Sequence, residues 1–157
     1  MNIDGLKTLM DEFDPAALLP ELDTVVGKLE LIVRIAVLVG PVILLGMGLV
    51  YLLAAPKEAN YYIGYRCYFG MGSVEAWRYT QRLAGIVWGG LGLVLTAVMF
   101  FISSGFRGKE VMDIIWGGAK CVIWEVVLVA LSCLFINTMA AVFFDAKGER
   151  RRHNRRK

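Results

Sequence analysis

The sequence alternates between long uncharged apolar stretches and short segments that hold most of the charged residues. Three stretches contain no charged side chain, namely residues 35–55, 83–106 and 126–144. A helix needs about 20 apolar residues to cross the hydrocarbon core of a bilayer, and a charge at its centre is costly. We therefore predict three transmembrane helices. The third can extend towards its N-terminus, because residues 114–124 are also largely apolar.

Composition supports the same interpretation. Hydrophobic side chains make up 57% of the 157 residues, charged side chains make up 20%, and the mean hydropathy is +0.59. Soluble domains contain about 45–50% apolar residues with glycine counted, and about 25% charged residues. The composition thus argues against a soluble domain and against intrinsic disorder. We predict an all-α fold, an integral membrane bundle of three transmembrane helices.

The distribution of lysine and arginine predicts the orientation, because cytoplasmic flanks carry an excess of both. Seven lie in the tail 145–157 and four in the loop 56–82, against four on the opposite side. We expect a membrane protein with its N-terminus outside and with the loop and tail on the cytoplasmic side. The acidic segment 1–23 is expected to be a short helical extracellular piece, and 24–144 the membrane domain. The first span should remain as an anchor rather than be cleaved as a signal peptide.

Residue types that carry chemistry are scarce. The three cysteines, Cys67, Cys121 and Cys133, have no paired spacing, and the lone His153 lies in the basic tail. This pattern supports neither a disulfide framework nor a metal site, and the sequence contains no HExxH motif or phosphate-binding glycine loop. We therefore expect no metal, no cofactor and no enzymatic activity.

The loop between the first two spans is the most distinctive part of the chain. Aromatic residues and glycines crowd residues 61–72, a composition typical of the headgroup layer. Ser73 is a predicted N-cap, and Glu75 then falls in the first turn of a helix that continues into the second span.

Two pairs on this helix are spaced i,i+4, and each leaves two interpretations open. Trp77 pairs with Gln81, and Trp77 is either an interfacial anchor or part of a functional motif. Arg78 pairs with Arg82, and this basic stripe is expected to meet lipid phosphates. Arg66 either grips a partner or lies with its charged head in the interface.

The string IGYR, followed by S-x-E-A-W-x-x-x-Q-R-x-x-G and an apolar span, resembles the signature of the SdpI-type bacterial immunity proteins. The positions that match are Gly64, Tyr65, Arg66, Ser73, Glu75, Trp77, Arg82 and Gly85. Three positions depart from the usual pattern: Cys67 stands where threonine is usual, Thr80 where alanine is usual, and Gln81 where asparagine is usual. The resemblance covers residues 60–92.

The resemblance implies a protein of the bacterial cytoplasmic membrane that binds and does not catalyse. The founding type of the family protects a producer cell from a secreted toxic peptide and tethers a transcriptional repressor at the membrane. It is longer than this chain, with additional spans. From the two roles of the founding type, the resemblance implies a toxic peptide and a cytoplasmic regulator as candidate partners, besides membrane lipids. It implies no direct contact with nucleic acid. The candidate partner-binding residues are Gly64, Tyr65, Arg66, Ser73, Glu75, Trp77, Gln81 and Arg82.

Two further features concern the membrane spans. Gly85-x-x-x-Gly89 predicts a close approach between helices, either within the chain or in a homo-oligomer. Arg34, Lys120 and Glu125 are predicted to form a polar cluster at the outer boundary of the membrane. Arg34 and Glu125 are expected at one level there, either as separate interfacial charges or as a contact that closes an outward-facing pocket.

Two other functions remain open on the sequence alone. A small transporter or channel subunit would need polar residues aligned through the bilayer, and the third window offers Ser132, Asn137 and Thr138. A scaffold subunit of a larger membrane complex would need a stoichiometric partner.

Overall fold

The computed structural model describes residues 15–59 and 62–151, and within them the only regular elements are three helices. They are α1 (Pro15–Leu53), α2 (Val74–Ser104) and α3 (Val111–Phe143). Each is long and apolar enough to cross a membrane. This confirms the predicted all-α bundle with three spans.

Parts of two sequence predictions lie outside the described residues. The predicted acidic segment falls there up to residue 14, and the basic tail falls there from residue 152 onwards, with His153. From Pro15 onwards the chain is already helical and runs without a break into the first span. The described part of the predicted N-terminal piece is therefore continuous with α1.

The helix ends follow local sequence signals. α1 ends shortly before Pro56, which has no N–H group and disfavours helical backbone at the residue before it. α2 begins after Ser73, whose hydroxyl accepts a hydrogen bond from the N–H of Ala76 at 3.1 Å, with Glu75 in the first turn. Both features confirm the predicted N-terminus of this helix.

Glycines bring α1 and α2 into backbone contact. A Cβ atom at Gly48 would collide with the backbone of Gly89, and one at Gly92 would collide with the backbone of Leu45. At Gly85 it would lie 2.7 Å from the Leu52 side chain. The predicted close approach through Gly85 and Gly89 is thus formed within the chain, between its first two spans.

The third helix packs beside α1 in the same direction. A Cβ atom at Gly118 would collide with the Val33 side chain, and one at Gly40 would lie 2.8 Å from Glu125 Oε2. Between α2 and α3, Trp88 Nε1 donates a hydrogen bond to Ser132 Oγ at 3.0 Å. Small residues and one buried hydrogen bond therefore position α3 against the other two helices.

We expect the α1–α2 contact to tolerate no methyl group at Gly48. Gly48→Ala should lower the unfolding free energy by about 1–3 kcal/mol, because the backbones of the two helices must separate. Gly46→Ala is the matched control, since a Cβ atom there would meet nothing within 4 Å and alanine favours helix. Denaturant unfolding in detergent micelles measures both. Equal stability of the two variants would contradict the contact.

Candidate functional site

The loop between α1 and α2 is organised around the side-chain amide of Gln81. The N–H of Tyr65 donates to Gln81 Oε1 at 2.8 Å, and Gln81 Nε2 donates to the carbonyl oxygen of Tyr65 at 2.8 Å. Both backbone groups of Tyr65 are satisfied by one side chain on the first turns of α2. Because Gln81 is buried, these two bonds fix the loop against the helix without competition from water.

These two hydrogen bonds, called the Gln81 clamp below, place the Tyr65 side chain between α2 and α3. Its hydroxyl lies 3.0 Å from Asn137 Oδ1 and 3.2 Å from the Cys133 carbonyl oxygen, both on α3, and shares its proton between them. Its ring stands edge-on to Trp88 of α2, with ring centroids 5.3 Å apart. Burial raises the pKa of the Tyr65 hydroxyl well above its ordinary value. A loop residue thus joins α2 to α3.

Gly64 and Trp77 form the layer next to the clamp. Gly64 has a φ angle of +124°, which favours glycine, and a Cβ atom there would lie 2.7 Å from the Trp77 ring. Trp77 is fully buried, and its Nε1 donates to the Pro56 carbonyl oxygen at 2.9 Å. The interpretation of Trp77 as an interfacial anchor is therefore wrong, because its ring fills the space beneath the folded loop.

The three positions that depart from the family pattern also meet at this loop, with Cys67 in the loop and Thr80 and Gln81 on α2. A Cβ atom at Gly70 would lie 2.7 Å from Thr80 Oγ1 and 2.8 Å from Cys67 Sγ, so both side chains pack on the same glycine. The Gly70 N–H donates to Cys67 Sγ at 3.3 Å. The third departure, Gln81, is the clamp itself. Its side chain is one methylene longer than the usual asparagine.

The start of the C-terminal tail folds into a tight turn and packs on the motif. Asp145 Oδ1 accepts hydrogen bonds from the N–H groups of Lys147 and Glu149, at 3.0 Å and 2.8 Å. The Ser73 hydroxyl donates to the carbonyl oxygen of Gly148 at 2.7 Å while it also caps α2. Nearby, Arg150 Nε lies 3.7 Å from Glu75 Oε1, and both side chains are exposed. Loop and tail therefore form one surface.

Three arginines border a groove on this surface. Arg78, Arg82 and Arg150 line a cavity of about 440 Å³ whose apolar part includes Leu83 and Phe144. A further basic side chain of the motif, Arg66, is exposed and lies within electrostatic range of the Tyr51 hydroxyl. Both interpretations of Arg66 stay open.

The predicted outer polar cluster does not assemble. Arg34 lies 3.5 Å from Glu30 on its own helix, Lys120 is exposed, and Glu125 packs over Gly40. Since Gly118 lies opposite Val33, the level of Arg34 on α3 is about six residues, or about 9 Å, before Glu125. The expected shared level was wrong because the packing of small residues sets the register of two helices, and the ends of their apolar windows do not.

The structure thus brings together five of the predicted motif residues through internal contacts: Gly64, Tyr65, Ser73, Trp77 and Gln81. Glu75, Arg66 and Arg82 point outwards as exposed side chains. Sequence reasoning missed Asn137 and Gly148, whose contacts with the motif span 72 and 75 residues of chain. Within the residues that the structure describes, no group of three His, Cys, Asp or Glu side chains is placed to hold a metal ion.

Comparison with known proteins gives one match. The SdpI/YfhL protein family matches residues 56–139, which include the loop, α2 and most of α3. No curated protein and no solved structure matches the chain. The matched range contains both ends of the Tyr65–Asn137 contact as well as the Gln81 clamp.

We expect Gln81→Leu to destabilise the protein, because it keeps the side-chain volume but leaves the N–H and C=O groups of Tyr65 buried without partners. Each orphaned group costs about 1–3 kcal/mol, so the unfolding free energy should fall by at least about 2 kcal/mol. Lys120→Leu, the same polar-to-leucine change at an exposed position of α3, should have little effect. Denaturant titration in micelles measures both, and an unchanged Gln81→Leu variant would contradict the clamp.

The Tyr65 hydroxyl should make stability depend on pH at the alkaline end. Its pKa is raised in the folded state, so its contribution is complete below the unfolded pKa near 10 and is lost as pH rises above it. Tyr65→Phe should cost about 1 kcal/mol at neutral pH, from the lost hydrogen bond. The stability difference between wild type and variant should narrow above about pH 10. A constant difference across that range would speak against a buried hydroxyl.

Proposed function

Because the chain belongs to the SdpI/YfhL protein family, we propose that this multi-pass membrane protein raises the tolerance of a bacterial cell to a membrane-active toxic peptide. The protein acts by binding and not by catalysis. The observation that carries the proposal is the family match. It covers the clamped loop together with α2 and most of α3, the two helices that Tyr65 contacts.

The division of labour within the motif supports this proposal. The buried motif residues are engaged in hydrogen bonds and ring packing that shape the loop, which is the arrangement of a binding surface. The side chains of Arg66, Glu75 and Arg82 are exposed. Two polar residues of the third span have partners on other elements, since Ser132 bonds to Trp88 and Asn137 to Tyr65. This use of polar groups favours binding over a transport path.

We assign the loop and the tail to the cytoplasmic side and the N-terminus to the outer side, following the excess of lysine and arginine. The Ser73–Gly148 hydrogen bond joins loop and tail, so one cytoplasmic regulator can contact both. The arginine groove beside them suits the phosphates of anionic lipids in the same leaflet. A peptide that binds between the spans is then sensed through Tyr65, which touches α2 and α3 together.

Expression in a sensitive bacterial strain should raise survival several-fold against at least one membrane-active peptide from a panel. Arg66→Gln should reduce this protection, because it removes a charge from the exposed part of the motif loop. Arg107→Gln, in the exposed turn between α2 and α3, is the matched control and should protect like the wild type.

Immunoblots of membrane fractions must show equal amounts of all three proteins. Failure of the wild type to protect against every peptide would reject immunity as the function. Full protection by Arg66→Gln would reject the part assigned to the loop.

A further inference from the structure

A cavity of about 520 Å³ lies between α1 and α3. Its walls are almost wholly apolar, and they include Leu44, Leu95 and Val126 from the three helices. The volume falls within the range of about 300–1,000 Å³ that is usual for small-molecule sites. None of the motif residues lines this cavity.

Glu125 is the one ionisable residue among those that line the cavity. The residue is 7% exposed, and its Oε1 atom has no hydrogen-bond partner. The other carboxyl oxygen, Oε2, lies over Gly40, which has no side chain to offer it a donor. An ionisable group in a membrane span is costly, and buried polar atoms are almost always satisfied. The Glu125 carboxyl group therefore has a buried hydrogen-bond acceptor that lacks a donor.

The nearest basic side chains do not provide that donor. Arg34 contacts Glu30, about 9 Å nearer the helix start, and Lys120 is exposed. Lys120 also stands five positions before Glu125, so it points about 140° away around α3. A ligand that carries N–H groups would supply this donor.

The other side chains that line the cavity offer no donor, because all of them are apolar. A single carboxyl group in an apolar cavity is a poor site for Ca²⁺ or Mg²⁺, which take six or more oxygen ligands.

We infer that this cavity binds a lipophilic ammonium compound, with its alkyl chain between α1 and α3 and its N–H groups on Glu125. The binding site is argued from the cavity alone. Its biological meaning rests on the proposed function, in which an apolar toxic peptide with a basic side chain presents the same chemistry.

Binding is measured on the purified full chain in nanodiscs with a dansyl-labelled decylamine that retains a free ammonium group. Glu125→Gln keeps the shape of the side chain and removes its charge, and it should weaken binding about tenfold or more. A charge-assisted hydrogen bond contributes about 1.5–3 kcal/mol, which corresponds to that factor. Glu58→Gln, at an exposed loop position, is the control and should bind like the wild type. Unlabelled dodecylamine should displace the probe far better than dodecanol or dodecyl sulfate.

A second pair of variants tests the cavity itself. Ala130→Trp fills it from the lipid-facing edge without replacing the carboxyl group, and should abolish binding. Val127→Trp, on an exposed part of α3 outside the cavity, should not. Unfolding midpoints equal to the wild type establish that the variants fold.

Equal binding by the wild type and Glu125→Gln would overturn the inference, as would undiminished binding by Ala130→Trp or displacement of the probe by Ca²⁺ alone. A wild-type dimer that Glu125→Gln converts to a monomer would assign the cavity to a second copy of the chain and would also overturn it. The binding assay contains no toxic peptide, so its failure leaves the survival assay unaffected, and loss of protection leaves the binding result standing.

Discussion

The pair of hydrogen bonds between the Gln81 side chain and the backbone of Tyr65 is the constraint on which the rest of the loop depends. A backbone segment can be buried only when its N–H and C=O groups find partners, and here one amide supplies both. Once Tyr65 is fixed, its ring reaches Trp88 and its hydroxyl reaches Asn137. The left-handed backbone at Gly64 and the burial of Trp77 follow from the same placement, because the loop must pass directly over the indole.

Most of the motif residues therefore serve to fold the loop onto the helix bundle. The buried motif residues determine where the exposed charges stand, and the tail completes the same surface through Ser73 and Gly148. This arrangement separates two regions of the molecule. One is the motif surface at the start of α2, and the other is the Glu125 cavity deep between α1 and α3. Tyr65 and α3 connect them, since α3 carries both Asn137 and Glu125.

Local signals in the sequence were sufficient for the spans, for the N-terminus of α2 and for a close helix approach at Gly85 and Gly89, although they left open whether the partner helix lies in the same chain. Each depends on residues close together in the chain or on a simple periodic pattern. The contact between Tyr65 and Asn137 could not be predicted, because it joins residues 72 positions apart and requires the register of α3. The shared level of Arg34 and Glu125 was mispredicted for the same reason. Hydropathy windows locate a span along the chain, whereas the contacts at Gly40 and Gly118 set the register between α1 and α3.

The hydrogen bond between Ser73 and Gly148 has a consequence for the order in which the protein assembles. The α1–α2 hairpin holds its own glycine contact and can assemble as soon as its two helices enter the bilayer. The acceptor for the Ser73 hydroxyl, however, lies 75 residues downstream, beyond the whole of α3. The motif surface is therefore unfinished until the ribosome has released the end of the third span. A truncated translation product would carry every residue of the family signature and still lack the completed surface.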